Sequence, residues 1–200
     1  MAKNYAEIAF TEEVKKLQEK YGSRSSYARM ERIDYVDGLT ENEVGFIQER
    51  DSLYMASIGE NGFPYIQHRG GPKGFLRVLD KDTLGFIDFS GNFQFISVGN
   101  LKTRSKASLI LMDYRSKTRL KIYVETEVKD ISESPELFSK LELKEYRHKP
   151  ERIMLLRVIA YNWNCPQHIT PRYSLPEVEY MFRSRDAYID SLEEELRVLR

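Results

Sequence analysis

Two hundred residues carry 31 Lys and Arg against 31 Asp and Glu, a formal net charge of zero. No global field therefore favours binding to nucleic acid or to an anionic membrane. The start, MAKNYAEIAF, lacks the apolar core of a secretory signal, and no run reaches the roughly 18 apolar residues of a membrane span. With a single cysteine, which cannot form an internal disulfide, the chain is expected to be soluble and cytoplasmic.

The length favours one domain over residues 1–200, with an N-terminal helical arm over about 1–50 and a C-terminal helix over about 175–200. In the arm, Thr11 precedes apolar residues at helical spacing, which predicts a helix over 10–21. The stretch 22–38 has no period and is expected to lie across a surface, its own or a partner's. Thr40 and Glu43 have the spacing of a capping box and begin a second helix.

The central part of the chain is rich in strand signals separated by turn residues. The predicted strands are Ser52–Ile58, Pro64–Arg69, Phe75–Leu79, Leu84–Phe89, Ser108–Met112, Leu120–Val128 and Ile153–Ala160. This series predicts a mainly β fold, an antiparallel barrel with flanking helices. The last strand is apolar almost throughout, which predicts burial on both faces. Ser134 and Pro135 begin a short helix before it.

The C-terminal segment opens with Ser174 and Glu177 in capping-box spacing. Its apolar residues then alternate by four and three, interrupted by Arg185: Val178, Phe182, Ile189, Leu192, Leu196 and Leu199. The run is shorter than a typical coiled coil, so two interpretations stay open. The helix docks on the protein's own barrel, or it pairs with a second copy across a dimer.

The most informative stretch is a strand that ends in glycines. Strand alternation points Gln67 and Arg69 to the face opposite His68, and Gly70 begins a Gly-Gly-Pro sequence where backbone amides can approach a ligand. A guanidinium there can pair bidentately with a phosphate. The alternatives are a solvated edge residue for Arg69 and a surface residue for His68. The pattern predicts a site for an anionic, phosphorylated small molecule.

A second segment could complete this site. The run Asp88-Phe89-Ser90-Gly91-Asn92 closes a strand with small polar residues that can offer amides and a hydroxyl to an anion, although Ser90, Gly91 and Asn92 alone are also a common turn. Asn100 ends the segment 93–98, which is either a helical turn packing a ring system or a connection.

The only tryptophan, Trp163, is followed by polar residues that include Gln167 and His168. Contact with a flat ligand or with a partner subunit is expected there. Cys165 and His168 are only two potential ligands where structural zinc needs four, so no metal site is predicted. Dinucleotide, phosphate-loop and Gly-x-Ser-x-Gly motifs are absent from the sequence.

The run from Phe46 to Val128, with its GGPKGFL and SGN segments, and the closing WNCPQHITPR resemble the pyridoxamine 5′-phosphate oxidase-like, split-barrel flavoproteins. The resemblance implies an antiparallel split barrel that forms a homodimer with FMN at the subunit interface. Carried over by position, it implies the following flavin contacts: Gln67, His68 and Arg69 along one strand; Ser90, Gly91 and Asn92 at the phosphoryl end, with Asn100 nearby; and Arg119, Trp163, Gln167 and His168 from either subunit.

The resemblance implies an FMN-dependent oxidoreductase that exchanges electrons between a reduced nicotinamide and an unknown acceptor. A non-catalytic flavin module for storage, sensing or delivery is the alternative, because no residue is a clear general acid or base. Haem binding is a more distant third. Gly91 and Asn92 replace the basic pair that true pyridoxamine phosphate oxidases carry in this turn, which argues against that substrate and not against FMN.

Overall fold

The computed structural model describes residues 4–32, 37–163 and 166–198. The elements in chain order are α1 (Tyr5–Ala9), α2 (Glu12–Lys20), α3 (Arg24–Arg32), α4 (Glu41–Gln48), β1 (Ser52–Ile58), β2 (Pro64–Gly70), β3 (Arg77–Val78), β4 (Thr83–Phe89), α5 (Ile96–Thr103), β5 (Lys106–Asp113), β6 (Thr118–Asp130), α6 (Pro135–Leu141), β7 (Pro150–Trp163) and α7 (Leu175–Val198). None of the helices in these ranges combines the length and apolar character needed to cross a membrane.

The described residues form two compact units. The first contains the sheet and the helices before it, up to residue 112 and again from 119 to 163. The second consists of the β5–β6 turn at 113–118 and the residues from 166 onward, including α7.

The sheet has seven strands in the order β2-β1-β5-β6-β7-β4-β3 and is not closed by backbone pairing. The β1–β2, β1–β5, β3–β4, β4–β7 and β6–β7 pairs are antiparallel. The expected fold class, a mainly β antiparallel architecture with flanking helices, is therefore confirmed. One strand is shorter than expected, because β3 comprises only Arg77 and Val78 rather than 75–79.

The main core lies on the inner face of this sheet. Side chains from β1, β4, β5, β6 and β7 meet the buried Ile47 of α4 and the buried pair Phe75 and Leu76. A second, smaller cluster joins Ile87 and Ile153 to Leu141 of α6. Because β4 contributes to both clusters, most of its residues are buried. It is the strand on which a charged residue is least expected.

Burial on both faces of β7 is limited to its start, where Ile153 and Met154 are adjacent and both buried. Beyond them, buried residues alternate with exposed or half-buried ones, and Arg157 is exposed. The expectation that the strand is buried on both faces throughout was wrong. Beside α6 the outer face of β7 is covered, and Ile153 packs there against Leu141.

Three helices were not predicted individually: α1 and α3, which lie within the predicted helical arm, and α5, which overlaps the segment left open as a helical turn or a connection. Residues 24–32 form α3, in which Arg24 donates to Gln18 of α2 and to Glu31 of its own helix. Residues 96–103 form α5, with Ser97 and Leu101 buried. Helix α5 lacks a side-chain N-cap, which is one of the signals on which helix prediction depends.

The C-terminal helix α7 begins with the predicted capping contact, since the Ser174 amide and hydroxyl both donate to Glu177 at 2.8 Å. Within the second unit its apolar residues stay exposed; Phe182, Ile189 and Leu192 are 40%, 44% and 40% accessible. Leu199, the last member of the predicted seam, lies outside the described residues. Neither interpretation of this helix is decided by the second unit alone.

Glu43 connects helix α4 to the end of the sheet. Its carboxylate accepts from the Thr40 amide at 2.9 Å and hydroxyl at 2.5 Å, which completes the predicted capping box. Its second oxygen accepts the indole N–H of Trp163 at 2.6 Å, and that ring packs edge-on against Phe46. Burial raises the pKa of Glu43, but the hydrogen bonds from Thr40 and Trp163 together outweigh burial, so its pKa lies below the usual value.

We expect Glu43→Ala to lower the free energy of unfolding by about 1–3 kcal/mol, because the helix loses its cap and a half-buried indole N–H loses its acceptor. Urea denaturation followed by the fluorescence of the single tryptophan measures this. Because the folded pKa is lowered, the contribution is complete above the ordinary glutamate value of about 4.3 and is lost as the pH falls through the folded value.

Glu41→Ala is the matched control, since Glu41 lies in the same helical turn and is exposed. Equal losses for the two variants would show that only the charge near the helix N-terminus matters, and not the link to Trp163.

Candidate functional site

Strand β2 presents two different faces. Tyr65, Gln67 and Arg69 are half-buried, whereas Ile66 and His68 are exposed. Gln67 accepts a hydrogen bond from the hydroxyl of the buried Ser97 on α5. The predicted separation of Gln67 and Arg69 from His68 is therefore confirmed, and α5 supports the half-buried face.

A buried carboxylate meets Arg69 across the opening of the sheet. Asp88 on β4 is 4% exposed and accepts from Nη1 of Arg69 and, at 2.9 Å, from Nη1 of Arg152 on β7. Arg152 also donates to Glu151 at 2.5 Å. In the sheet order β2 is an edge strand, and four strands separate it from β4. The Arg69–Asp88 pair thus bridges the two sides of the split that backbone pairing leaves open.

These four side chains balance in formal charge, two guanidiniums against two carboxylates. Burial raises the pKa of Asp88, and the positive charges of Arg69 and Arg152 oppose that shift. Arg69 still has donor capacity, because its buried Nε finds no hydrogen-bond partner among the described residues. A buried unsatisfied donor costs about 1–3 kcal/mol and is uncommon, which points to a missing acceptor.

A cleft of about 50 Å³ opens beside this cluster. It is lined by Arg69, Asp88 and Arg152, by the loop 91–95, and by the first turn of α5. Phe95, the residue before α5, makes no side-chain capping bond. The helix therefore begins beside the cleft with its first amides uncapped by a side chain, and such amides favour negative charge.

The loop that covers the cleft has an uncommon backbone. Phe93 and Phe95 both adopt left-handed conformations, with φ of 57° and 52°. Their rings lie 5.9 Å apart, and the guanidinium of Arg152 lies 5.2 Å from the centre of the Phe95 ring. The aromatic pair is thereby connected to the charged cluster.

Four of the predicted site residues line this one cleft: Gln67, Arg69, Gly91 and Asn92. The side chain of Asn92 accepts from the Gln94 amide at 3.2 Å, which holds the loop. The structure therefore joins the two segments that the sequence predicted as halves of one site. Their contact with a ligand stays a prediction.

Other predicted residues lie elsewhere in the first unit. His68 is on the outer face, edge-on to Tyr54 at 5.5 Å, and the exposed Gly70 ends the same strand. The amide of Ser90 donates to Lys149 O at 2.9 Å, so it is not free for an anion. Asn100 donates to Ser57 at 3.1 Å and borders a separate groove of about 600 Å³.

The remaining candidates are further along the chain. Arg119 is half-buried on β6, and its Nε also has no partner among the described residues. Trp163 ends β7, and its indole N–H already donates to Glu43. Gln167 and His168 are exposed in the second unit, where His168 has a φ of 63°. Asn164 and Cys165, part of the same sequence motif, lie outside the described residues.

The sequence placed Asp88 in a candidate site segment, but it did not predict the contacts that build the cleft. Asp88 carries a usable signal, because a carboxylate at the end of an apolar strand is seldom buried without a cationic partner. Nothing in the sequence pairs it with Arg152, which is 64 residues away. Whether Ser97, Phe93 and Phe95 line the cleft depends on where the fold places α5, and the sequence does not show that position.

Comparison with known proteins gives structural neighbours only: no family model and no curated protein matches this chain. The similar solved structures include the following three examples. A candidate pyridoxamine 5′-phosphate oxidase from Lactobacillus delbrueckii is 22% identical, with 64% of this chain and 95% of that chain covered and a TM-score of 0.48. A protein from Clostridium acetobutylicum that is related to general stress protein 26, of the pyridoxinephosphate oxidase family, is 14% identical. The similarity covers 68% of this chain and 94% of that chain, with a TM-score of 0.48. HupZ of Group A Streptococcus is 12% identical, with 68% of this chain and 99% of that chain covered and a TM-score of 0.48.

The first two names agree with the resemblance seen in the sequence. At these identities and TM-scores the similarity says nothing about the ligand or the activity of this chain.

Removal of the Asp88 carboxylate tests the bridge across the split. We expect Asp88→Ala to lower the free energy of unfolding by about 3–5 kcal/mol, because two partly buried guanidiniums lose their shared acceptor. Urea denaturation gives the difference.

Glu125→Ala is the matched control. Glu125 on β6 also faces an arginine, Arg157, directly across the sheet, but that pair is exposed and should contribute less than about 1 kcal/mol. A loss for Asp88→Ala no larger than the control would contradict a structural role for the buried cluster.

Proposed function

We propose that this protein is an FMN-binding flavoprotein of the pyridoxamine 5′-phosphate oxidase-like type, and an FMN-dependent oxidoreductase. The observation that carries the proposal is Arg69, a half-buried guanidinium in the cleft whose Nε has no acceptor among the described residues. Arg69 lines the cleft together with the loop 91–95 and the uncapped start of α5. Guanidinium, backbone amides and a helix N-terminus are the donors that phosphoryl groups accept from.

The size of the cleft fits the phosphoryl end of FMN. One water molecule needs a cavity of about 10–15 Å³, so about 50 Å³ has room for a few waters or one phosphoryl group. Whole-ligand sites commonly have about 300–1,000 Å³. The ring system would therefore lie outside the cleft, against the exposed surface that borders it.

The charge balance of the cluster favours a site that binds by hydrogen bonds rather than by net charge. Asp88 holds Arg69 and Arg152 in place, and the donors that these pairs leave free face the ligand. Such preorganised donors lose little conformational freedom on binding. Bound FMN supplies the redox chemistry, and the chain's residues bind it, orient it and exclude water.

A non-catalytic flavin module is the second candidate, and one observation favours it. The two carboxylates that line the cleft, Asp88 and Glu151, both accept hydrogen bonds from arginine. Within the described lining neither is free to act as a general acid or base. A protein that stores, senses or delivers FMN needs no such group.

A homodimer with FMN at the subunit interface is part of the proposal. Ile66 on the edge strand β2 and Ile58 on its neighbour β1 are 66% and 43% exposed. A groove of about 630 Å³ near them is lined largely by apolar groups, among them Ile8 and Ile159. Exposed apolar surface of this kind is typical of an interface, and a second chain would extend the small cleft of one protomer.

We expect Arg69→Lys to weaken FMN binding by about tenfold or more, because a lysine keeps one charge beside Asp88 but lacks the guanidinium fork. Titration of protein into FMN, followed by flavin fluorescence, measures the dissociation constant. Riboflavin, which has no phosphate, should bind wild type and variant equally.

Arg77→Ala is the control and should leave FMN affinity unchanged, because Arg77 is exposed on β3 at the opposite edge of the sheet. Retention of full FMN affinity by a folded Arg69→Lys and a folded Arg69→Ala would remove Arg69 from the site. The FMN-loaded wild type should have the mass of two chains in solution, and a loaded monomer would contradict the shared interface.

Reduced nicotinamide separates the two candidate functions. We expect anaerobic NADH or NADPH to bleach the absorbance of the FMN-loaded protein near 450 nm within the time of mixing, at a rate well above that of free FMN. An unchanged rate with both donors, in a protein that binds FMN tightly, would support the non-catalytic module.

A further inference from the structure

Two phenylalanine rings stand at the mouth of the cleft. Phe93 is 63% exposed and Phe95 is 48% exposed, and their ring centres lie 5.9 Å apart with planes inclined by 60°. A single exposed ring is ordinary on a protein surface. Two large rings in contact with each other, both lining the cleft that contains Arg69, form a local apolar surface beside a polar site.

The backbone supports these rings at an energetic disadvantage. Both residues have φ in the left-handed region, where the Cβ of a bulky residue approaches its own carbonyl. Of the four non-glycine residues with positive φ in the described ranges, these two are separated by a single residue. Because the rings stay exposed, burial within the chain does not compensate for this conformation. The loop presents the rings outward.

The pair is connected to the charged cluster. The guanidinium of Arg152 lies 5.2 Å from the centre of the Phe95 ring, and the same guanidinium donates to Asp88 at 2.9 Å. Arg152 is mostly buried, with 17% of its side chain exposed. A cation in this position orients the ring. The aromatic surface is therefore held in a defined place relative to Arg69.

We propose that Phe93 and Phe95 form the stacking surface for the planar heteroaromatic ring of the ligand whose phosphoryl group binds beside Arg69. This inference rests on the proposed function. The cleft of about 50 Å³ has no room for a ring system. The ring of FMN therefore lies outside the cleft, against the exposed side chains at its edge. Flat heteroaromatic rings stack on aromatic side chains because each presents an apolar face and a quadrupole.

A neighbouring groove offers a competing place for the ring. It has about 600 Å³, contains Phe63, which is 75% exposed, and shares Tyr65 and Ile96 with the cleft. Phe63 follows the β1–β2 turn and is a single exposed ring. The paired rings on the loop are favoured because Arg152 connects one of them to the phosphate-side cluster.

The test removes each ring without disturbing the backbone. Asparagine tolerates the left-handed conformation, so Phe93→Asn and Phe95→Asn delete the ring and keep the loop. Phe93→Tyr and Phe95→Tyr keep the ring. The probes are FMN, riboflavin and inorganic phosphate, with dissociation constants from flavin fluorescence, phosphate binding from displacement of FMN, and thermal midpoints of the free proteins.

Each Asn variant should weaken FMN and riboflavin by the same factor, about tenfold. Phosphate binding should be unchanged, and the thermal midpoint should be equal or higher. The Tyr variants should bind FMN within about twofold of wild type.

Three results would overturn the inference. Flavin affinity could stay unchanged in both Asn variants while Phe63→Ala loses it, which would put the ring in the neighbouring groove. Both Asn variants could lose phosphate binding or melt earlier, which would make the rings structural. Wild type could fail to bind FMN, which would overturn the proposed function and this inference together; the first two results leave FMN binding intact.

Discussion

The buried carboxylate of Asp88 is the contact on which the candidate site depends. A seven-stranded sheet that is not closed leaves its edge strand β2 without a backbone partner on one side. Arg69 from β2 reaches across this opening to Asp88 on β4, and Arg152 from β7 binds the same carboxylate. A side-chain cluster thus holds together what backbone hydrogen bonds do not.

This arrangement explains why the cleft is polar inside and narrow. A carboxylate that is 4% exposed requires cationic partners, and the guanidiniums that satisfy it are also the donors that face the cleft. The groups that stabilise the split are therefore also the donors available to a ligand. The Gln67–Ser97 hydrogen bond adds a neutral link between β2 and α5 along the same split.

The loop between β4 and α5 connects the cluster to the protein surface. Its left-handed phenylalanines and the uncapped start of α5 are local features that a stable hairpin or helix would avoid. They occur together beside the one half-buried arginine that retains an unpaired donor at the split. Locally unfavourable backbone at a polar cleft is the pattern expected of a binding site, in which the loop is shaped for a ligand rather than for the stability of the chain.

The sequence by itself determined the features that depend on neighbours along the chain. Alternation in β2 separated Gln67 and Arg69 from His68, spacing identified the Thr40–Glu43 capping box, and strand composition predicted the antiparallel class. These follow from local geometry, with periods of two residues in a strand and one turn at a helix start.

Only the tertiary structure decided which distant groups meet. It paired Asp88 with Arg69 and with Arg152, 19 and 64 residues away, placed α5 against β2, and put His68 and Asn100 outside the cleft. The physical reason is that a buried charge pairs with whichever opposite charge the fold brings beside it. The periodicity of residues along the chain does not show which distant residue that is.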